Sequence, residues 1–222
     1  MRIRRVLLLA VCMMLLSAGL AQAVNTITFG GNYSYPIDMT GPVGYRHAGG
    51  SIDTSYLNGS QLAYLYRVNV DLSVEEPVGY ELIDVNTSGL IYGNPINNAN
   101  QVAWLLTHYG VSGQGDQPKA LQASIWHVFD ANYALDTGSA NNATFVTLYN
   151  NMLADLAANY DSSVNLIGNY YWITLGTLDS KRQLVNVHCL VAPVPIPSAM
   201  VLLGSGLAGL VGIGRFRRKR SR

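Results

Sequence analysis

Apolar positions in the middle of the chain recur at helical spacing. In "NANQVAWLLTHYG", Val102, Leu105, Leu106 and Tyr109 fall at i, i+3, i+4 and i+7, one face of a helix, and Gly110 follows as a stop. A polar glycine loop, "VSGQGDQ", leads into "PKALQASIWHVFDANY". There Pro118 suits a helix N-terminus, and Leu121, Ile125 and Val128 form an apolar stripe. A third helix is predicted from Ala143 to Asn159, with Leu148, Met152 and Leu156 on its inner face.

The flanking segments follow another pattern. "NTITFG" and "QLAYLYRVNVDL" alternate or cluster β-formers between turn-forming stretches such as "TGPVG" and "NTSG". "NLIGNYYWITL" and "RQLVNVHCLV" read as closing strands. The expected fold class is therefore α+β: strands, a helical centre, then strands again, in one domain over residues 24–192. That length suffices for a real core. No fixed-period repeat or low-complexity linker is visible.

The two ends carry the strongest hydrophobic signals. Residues 198–214 are all apolar or small, and this run of 17 is near the lower limit for crossing a hydrocarbon core of about 30 Å. A charge at mid-helix would cost roughly 2.5–3.5 kcal/mol, and the run has none. Arg215, Arg217, Arg218, Lys219, Arg220 and Arg222 then supply the excess that holds a flank in the cytoplasm. At the other end Arg2, Arg4 and Arg5 precede an apolar run from Val6 to Leu16 and the small-x-small site Ala21-Gln22-Ala23. This reads as a secretory signal, residues 1–23, removed after Ala23. The ends together imply a body exported to the periplasm and retained by its tail in the inner membrane.

Charge partition agrees. Within residues 24–192 the basic residues are Arg46, Arg67, Lys119, Lys181 and Arg182, against all 13 acidic residues of the chain, a net charge of −8. Such a body is not expected to bind nucleic acid, whose phosphates demand basic patches. An acidic, Asn- and Tyr-rich surface is compatible with a polysaccharide or cell-surface setting. Cys12 departs with the signal, so the mature chain keeps only Cys189, which precludes an intramolecular disulfide and a cysteine-based metal site. The remaining thiol is either a buried small hydrophobe or a group for pairing between molecules.

The stretch Val194, Pro195, Ile196, Pro197, Ser198, Ala199, followed by "LLGSGLAGLVG" and the arginine cluster, resembles a PEP-CTERM sorting signal in its Val-Pro-x-Pro-x-Ala variant. Ser198 departs from the commoner alanine. The resemblance covers about the last 29 residues, taken here as residues 193–222 with the motif, transmembrane helix and basic tail. It implies a Gram-negative, exopolysaccharide-making cell, secretion machinery, and exosortase, a membrane cysteine protease that removes the tail and passes the protein to the surface or matrix. The prolines favour the extended form that a protease cleft accepts.

"ALQASIWHVFD" resembles the Gln-containing helix of bacterial thioester domains, and "VAWLLTHYG" resembles the helix before it. In active members a cysteine thiol attacks the Gln carboxamide, expels ammonia and leaves a thioester that can acylate an amine. The resemblance runs from about Tyr64 to Asp130 and gives Gln122 the carbonyl role. The cysteine position, in "LYRVNVDL", holds Arg67. A guanidinium cannot form a thioester; an arginine there offers donors to the Gln122 side chain. The expectation is that Gln122, Ile125 and Trp126 are structural parts of a helix packed on the sheet.

Catalytic signatures are missing from the sequence. His47, His108, His127 and His188 show no H-E-x-x-H spacing, and no G-x-S-x-G elbow or P-loop occurs. Glu75 and Glu76 are adjacent, so in a strand they point to opposite faces and do not converge as glycosidase acids must. No cofactor or metal is expected. The reading is a noncatalytic cell-surface or matrix protein linked to exopolysaccharide or biofilm, with polysaccharide or a surface protein as partner. The alternatives are a covalent adhesin joining Cys189 to Gln122 and, behind it, a secreted hydrolase.

Overall fold

The computed structural model describes residues 25–30, 37–42, 46–48, 52, 54–69, 82–136, 142–178 and 184–195. The expected signal, the 198–214 run, the basic tail, Ile196 to Ala199 and the Glu75-Glu76 pair lie outside them. Among the described residues the fold is mixed α+β: three α-helices and several small antiparallel sheets.

The chain opens with short strands: β1 (Ile27–Thr28), β2 (Ile37–Thr40), β3 (Arg46–Ala48), β4 (Tyr56–Leu57), β5 (Ser60–Gln61) and β6 (Tyr66–Arg67). After β7 (Leu82–Asn86) come the tiny hairpin strands β8 (Leu90–Ile91) and β9 (Asn94–Pro95). The helical centre is α1 (Ala99–Tyr109), α2 (Asp116–Phe129) and α3 (Ala143–Asn159), with β10 (Ala134–Leu135) between the last two. A 3-10 turn at Ile167–Asn169 leads into β11 (Tyr170–Leu178) and β12 (Leu184–Pro193).

The three helices form where the apolar spacing predicts them. Val102, Leu105 and Leu106 of α1, Leu121, Ile125 and Val128 of α2, and Met152 and Leu156 of α3 are all buried, while Leu148 is partly so. The second helix begins at Asp116, two residues before the expected proline start. Pro118 still sits in the first turn, where main-chain N–H groups lack intrahelical partners and a missing donor costs little. Asn142 caps α3, its side chain accepting from Phe145 N–H at 2.8 Å.

The main sheet has the order β6-β12-β11-β7, antiparallel throughout. The closing hairpin, β11 and β12, thus occupies the centre, and strands from the first half of the chain flank it. On one face Tyr66, Val68, Tyr170, Trp172, Cys189 and Val191 pack against the helices. On the other, Leu65, Ile173, Leu175, Leu190 and Ala192 pack against Ile52, Leu57 and Leu62. A sheet covered on both faces needs apolar residues at consecutive positions, which is why the closing strands read as near-continuous apolar runs. A second small sheet, β10-β2-β3, adds Ile37, Met39 and Leu135 to the helix-side core.

Candidate functional site

Arg67 on β6 and Gln122 on α2 are brought together, 55 residues apart in the chain. Val68 donates its N–H to the Cys189 carbonyl at 2.8 Å, so there β6 bonds toward β12. Neighbouring residues of an antiparallel strand turn their main-chain groups to opposite edges, so those of Arg67 face away from β12. Gln122 fills that edge. The Arg67 N–H donates to Gln122 Oε1 at 2.9 Å, and Gln122 Nε2 donates to the Arg67 carbonyl at 2.6 Å. A carboxamide carries the donor and acceptor of a peptide group, so one side chain stands in for an additional strand.

The expected donor was the guanidinium; these two bonds instead use the main chain of Arg67. Strand alternation gives the reason. Tyr66 and Val68 face the helices and Leu65 faces the other core, which directs the Arg67 side chain away from α2. Gln122, Ile125 and Trp126 are each 0% exposed.

Cys189 faces the helices beside Val68 and is fully buried. Its own N–H donates to Asn69 Oδ1 at 2.9 Å. Burial pushes the Cys189 thiol well above its ordinary pKa. Since the thiolate is the nucleophile, this environment keeps the sulfur inert in the folded state.

Many of the Asn and Tyr side chains hold elements together. Asn100 donates to the Val164 carbonyl at 2.7 Å and accepts from Leu166 N–H at 2.8 Å, tying α1 to the segment after α3. Asn142 also donates to Asp116 Oδ1 at 2.9 Å, joining the starts of α2 and α3. Tyr66 donates to the Val111 carbonyl at 2.5 Å. The Tyr109 hydroxyl donates to Asp155; that bond, then the one from Asn159, holds the Asp155 carboxyl below its ordinary range. His108 is exposed and His127 partly buried, and each uses Nδ1 on a main-chain carbonyl.

A cavity of about 380 Å³ opens where the start of α1 and the ends of α2 and α3 meet. Its polar lining is Asn98, Gln101, His127 and Tyr160. Val128, Leu153 and Leu156 supply an apolar wall. Of this polar lining the sequence singles out only His127, because its members belong to three separate segments with no motif spacing. The one local signal is "NNAN" before α1, whose Asn98 takes a left-handed conformation at φ 55°.

Of the stretch expected to be a sorting motif, Val194 and Pro195 are described. Val194 N–H donates to the Asn169 carbonyl at 3.0 Å, just past the end of β12. Among the described residues no cluster of His, Cys, Asp or Glu could hold a metal ion, and no helix is long and apolar enough to cross a membrane. Comparison with protein-family models, with curated proteins and with solved structures returned no match.

Proposed function

We propose that the chain is an exported, noncatalytic cell-surface or extracellular-matrix protein, associated with exopolysaccharide or biofilm. The secretory signal directs the acidic body outward, and the C-terminal helix holds it in the inner membrane. Exosortase then acts at the motif Val194, Pro195, Ile196, Pro197, Ser198, Ala199. What supports the export half is the three-part tail and the cleavable start.

The observation that carries the noncatalytic half is the double hydrogen bond between the Gln122 carboxamide and the Arg67 main chain. Both polar atoms of the carboxamide are engaged, an arginine stands at the cysteine position, and Cys189 is buried with a raised pKa. The helix that resembles a thioester-domain element thus acts as a packing element that closes a sheet edge.

Intact-mass measurement of the purified protein, with and without methylamine, tests this reading. The expected result is the mass calculated from the processed sequence, no incorporation of methylamine, and alkylation of Cys189 only after unfolding. A protein lighter by one ammonia, with Cys189 blocked and Gln122 labelled by methylamine, would overturn the reading in favour of a covalent adhesin.

A further inference from the structure

The cavity between the three helices has a chemistry of its own, apart from the Gln122–Arg67 contact. His127 Nδ1 lies 2.6 Å from the Tyr133 carbonyl oxygen. A carbonyl only accepts, so Nδ1 carries the proton and, in the neutral ring, Nε2 is left as an acceptor. The His127 ring is braced edge-on by Tyr149, with ring centroids 6.1 Å apart. Asn98 uses its Nδ2 on the Val128 carbonyl at 2.7 Å and makes no capping bond with its side chain, which leaves Oδ1 as a second acceptor. The Tyr160 hydroxyl accepts from Asn100 Nδ2 at 3.1 Å and keeps its own proton to donate. Among the described residues the Gln101 carboxamide has no partner, so it supplies both a donor and an acceptor.

Among the described residues no Asp, Glu, Lys or Arg lines this cavity, although the body is acidic overall. A charged ligand would enter with no counter-charge to offset its desolvation. Val128, Leu153 and Leu156 add apolar side chains to the lining. A ligand that matches is uncharged, with several hydroxyls on one edge and a C–H-rich face on the other. A volume of about 380 Å³ is at the small end of ligand pockets, which run from about 300 to 1,000 Å³.

We infer that this cavity binds a neutral sugar ring, its hydroxyls meeting Gln101, His127, Asn98 and Tyr160 and its C–H face lying on Leu153 and Leu156. The site gives the surface-protein reading a ligand class and rests on that reading only for its setting. The two fail separately, because the purified chain reports sugar binding whether or not a thioester or tail processing occurs.

Saturation-transfer NMR on the full chain in a non-glycosidic detergent tests the inference. The probes are the methyl glycosides of glucose, galactose and N-acetylglucosamine, with glucuronate as the charged comparison. At least one neutral glycoside should receive saturation and glucuronate none. Gln101→Ala should weaken that binding roughly fivefold, the size expected for one lost neutral hydrogen bond. Ala157→Trp, at an exposed α3 position on the cavity wall, should fill the space and abolish the signal without changing the unfolding midpoint. No saturation of any neutral glycoside, an undiminished signal in Ala157→Trp, or equal binding of glucuronate would each overturn the inference.

Discussion

Gln122 makes two hydrogen bonds to the main chain of a single buried residue, an arrangement that makes its replacement diagnostic. Gln122→Ala strands the N–H and C=O of Arg67 inside the protein. Each unsatisfied group costs about 1–3 kcal/mol, so the variant should lose roughly 2–6 kcal/mol in urea unfolding. Gln122→Glu should be pH-dependent. The carboxylate still accepts from Arg67 N–H, but only the protonated acid can donate to the carbonyl. Burial also favours the neutral acid, so the folded-state pKa of Glu at 122 lies above its unfolded value of about 4.3. A raised pKa contributes stability below the unfolded pKa that is lost as pH rises through the folded one. The deficit of Gln122→Glu relative to the parent should therefore be smaller at pH 4 than at pH 8. Equal deficits at both would show that the two atoms of the carboxamide are not both needed.

At the scale of elements, the helices are bounded by specific side-chain contacts. Gly110 ends α1, as its place after the apolar periodicity predicts, but for a different reason than a left-handed turn. Its φ is −57°, which any residue adopts. A Cβ there would lie 2.3 Å from the Leu106 carbonyl oxygen and 2.3 Å from the Tyr64 hydroxyl. The close approach of β6's neighbour to the helix end demands glycine. Gly110→Ala should cost about 1–3 kcal/mol, the range for overpacking. Asn142→Ala, which removes the cap of α3 and the bond to Asp116, should cost about 1 kcal/mol. Thermal unfolding of the pair checks the ranking: a loss from Asn142→Ala larger than that from Gly110→Ala would contradict it.

For the whole molecule, β12 both sits at the centre of the main sheet and leads into the proposed sorting motif. β12 ends at Pro193, and Val194 is still tied to Asn169. The tail reading has a direct topological consequence. On the proposed reading, the basic flank after the apolar run would keep residues 215–222 in the cytoplasm and the body in the periplasm. Protease added to spheroplasts should digest the body and spare an epitope fused after Arg222. Loss of that epitope without lysis would reverse the assignment.

Local information decided much of this protein. The 3.6-residue spacing of Val102, Leu105, Leu106 and Tyr109, and of Leu121, Ile125 and Val128, was enough to locate helices, because a helix's face is set by near neighbours in sequence. The pairing of positions 67 and 122 was legible through resemblance alone. Its bonding was not, since it depends on which edge of β6 is open once β12 has docked. Strand order was equally hidden: sequence says that β11 and β12 are strands, but pairings across more than 100 residues, such as Leu190 with Arg67, carry no local signal. The cavity is the extreme case. Asn98, Gln101, His127 and Tyr160 are ordinary polar residues on three helix ends, and only the packing of α1, α2 and α3 makes them converge.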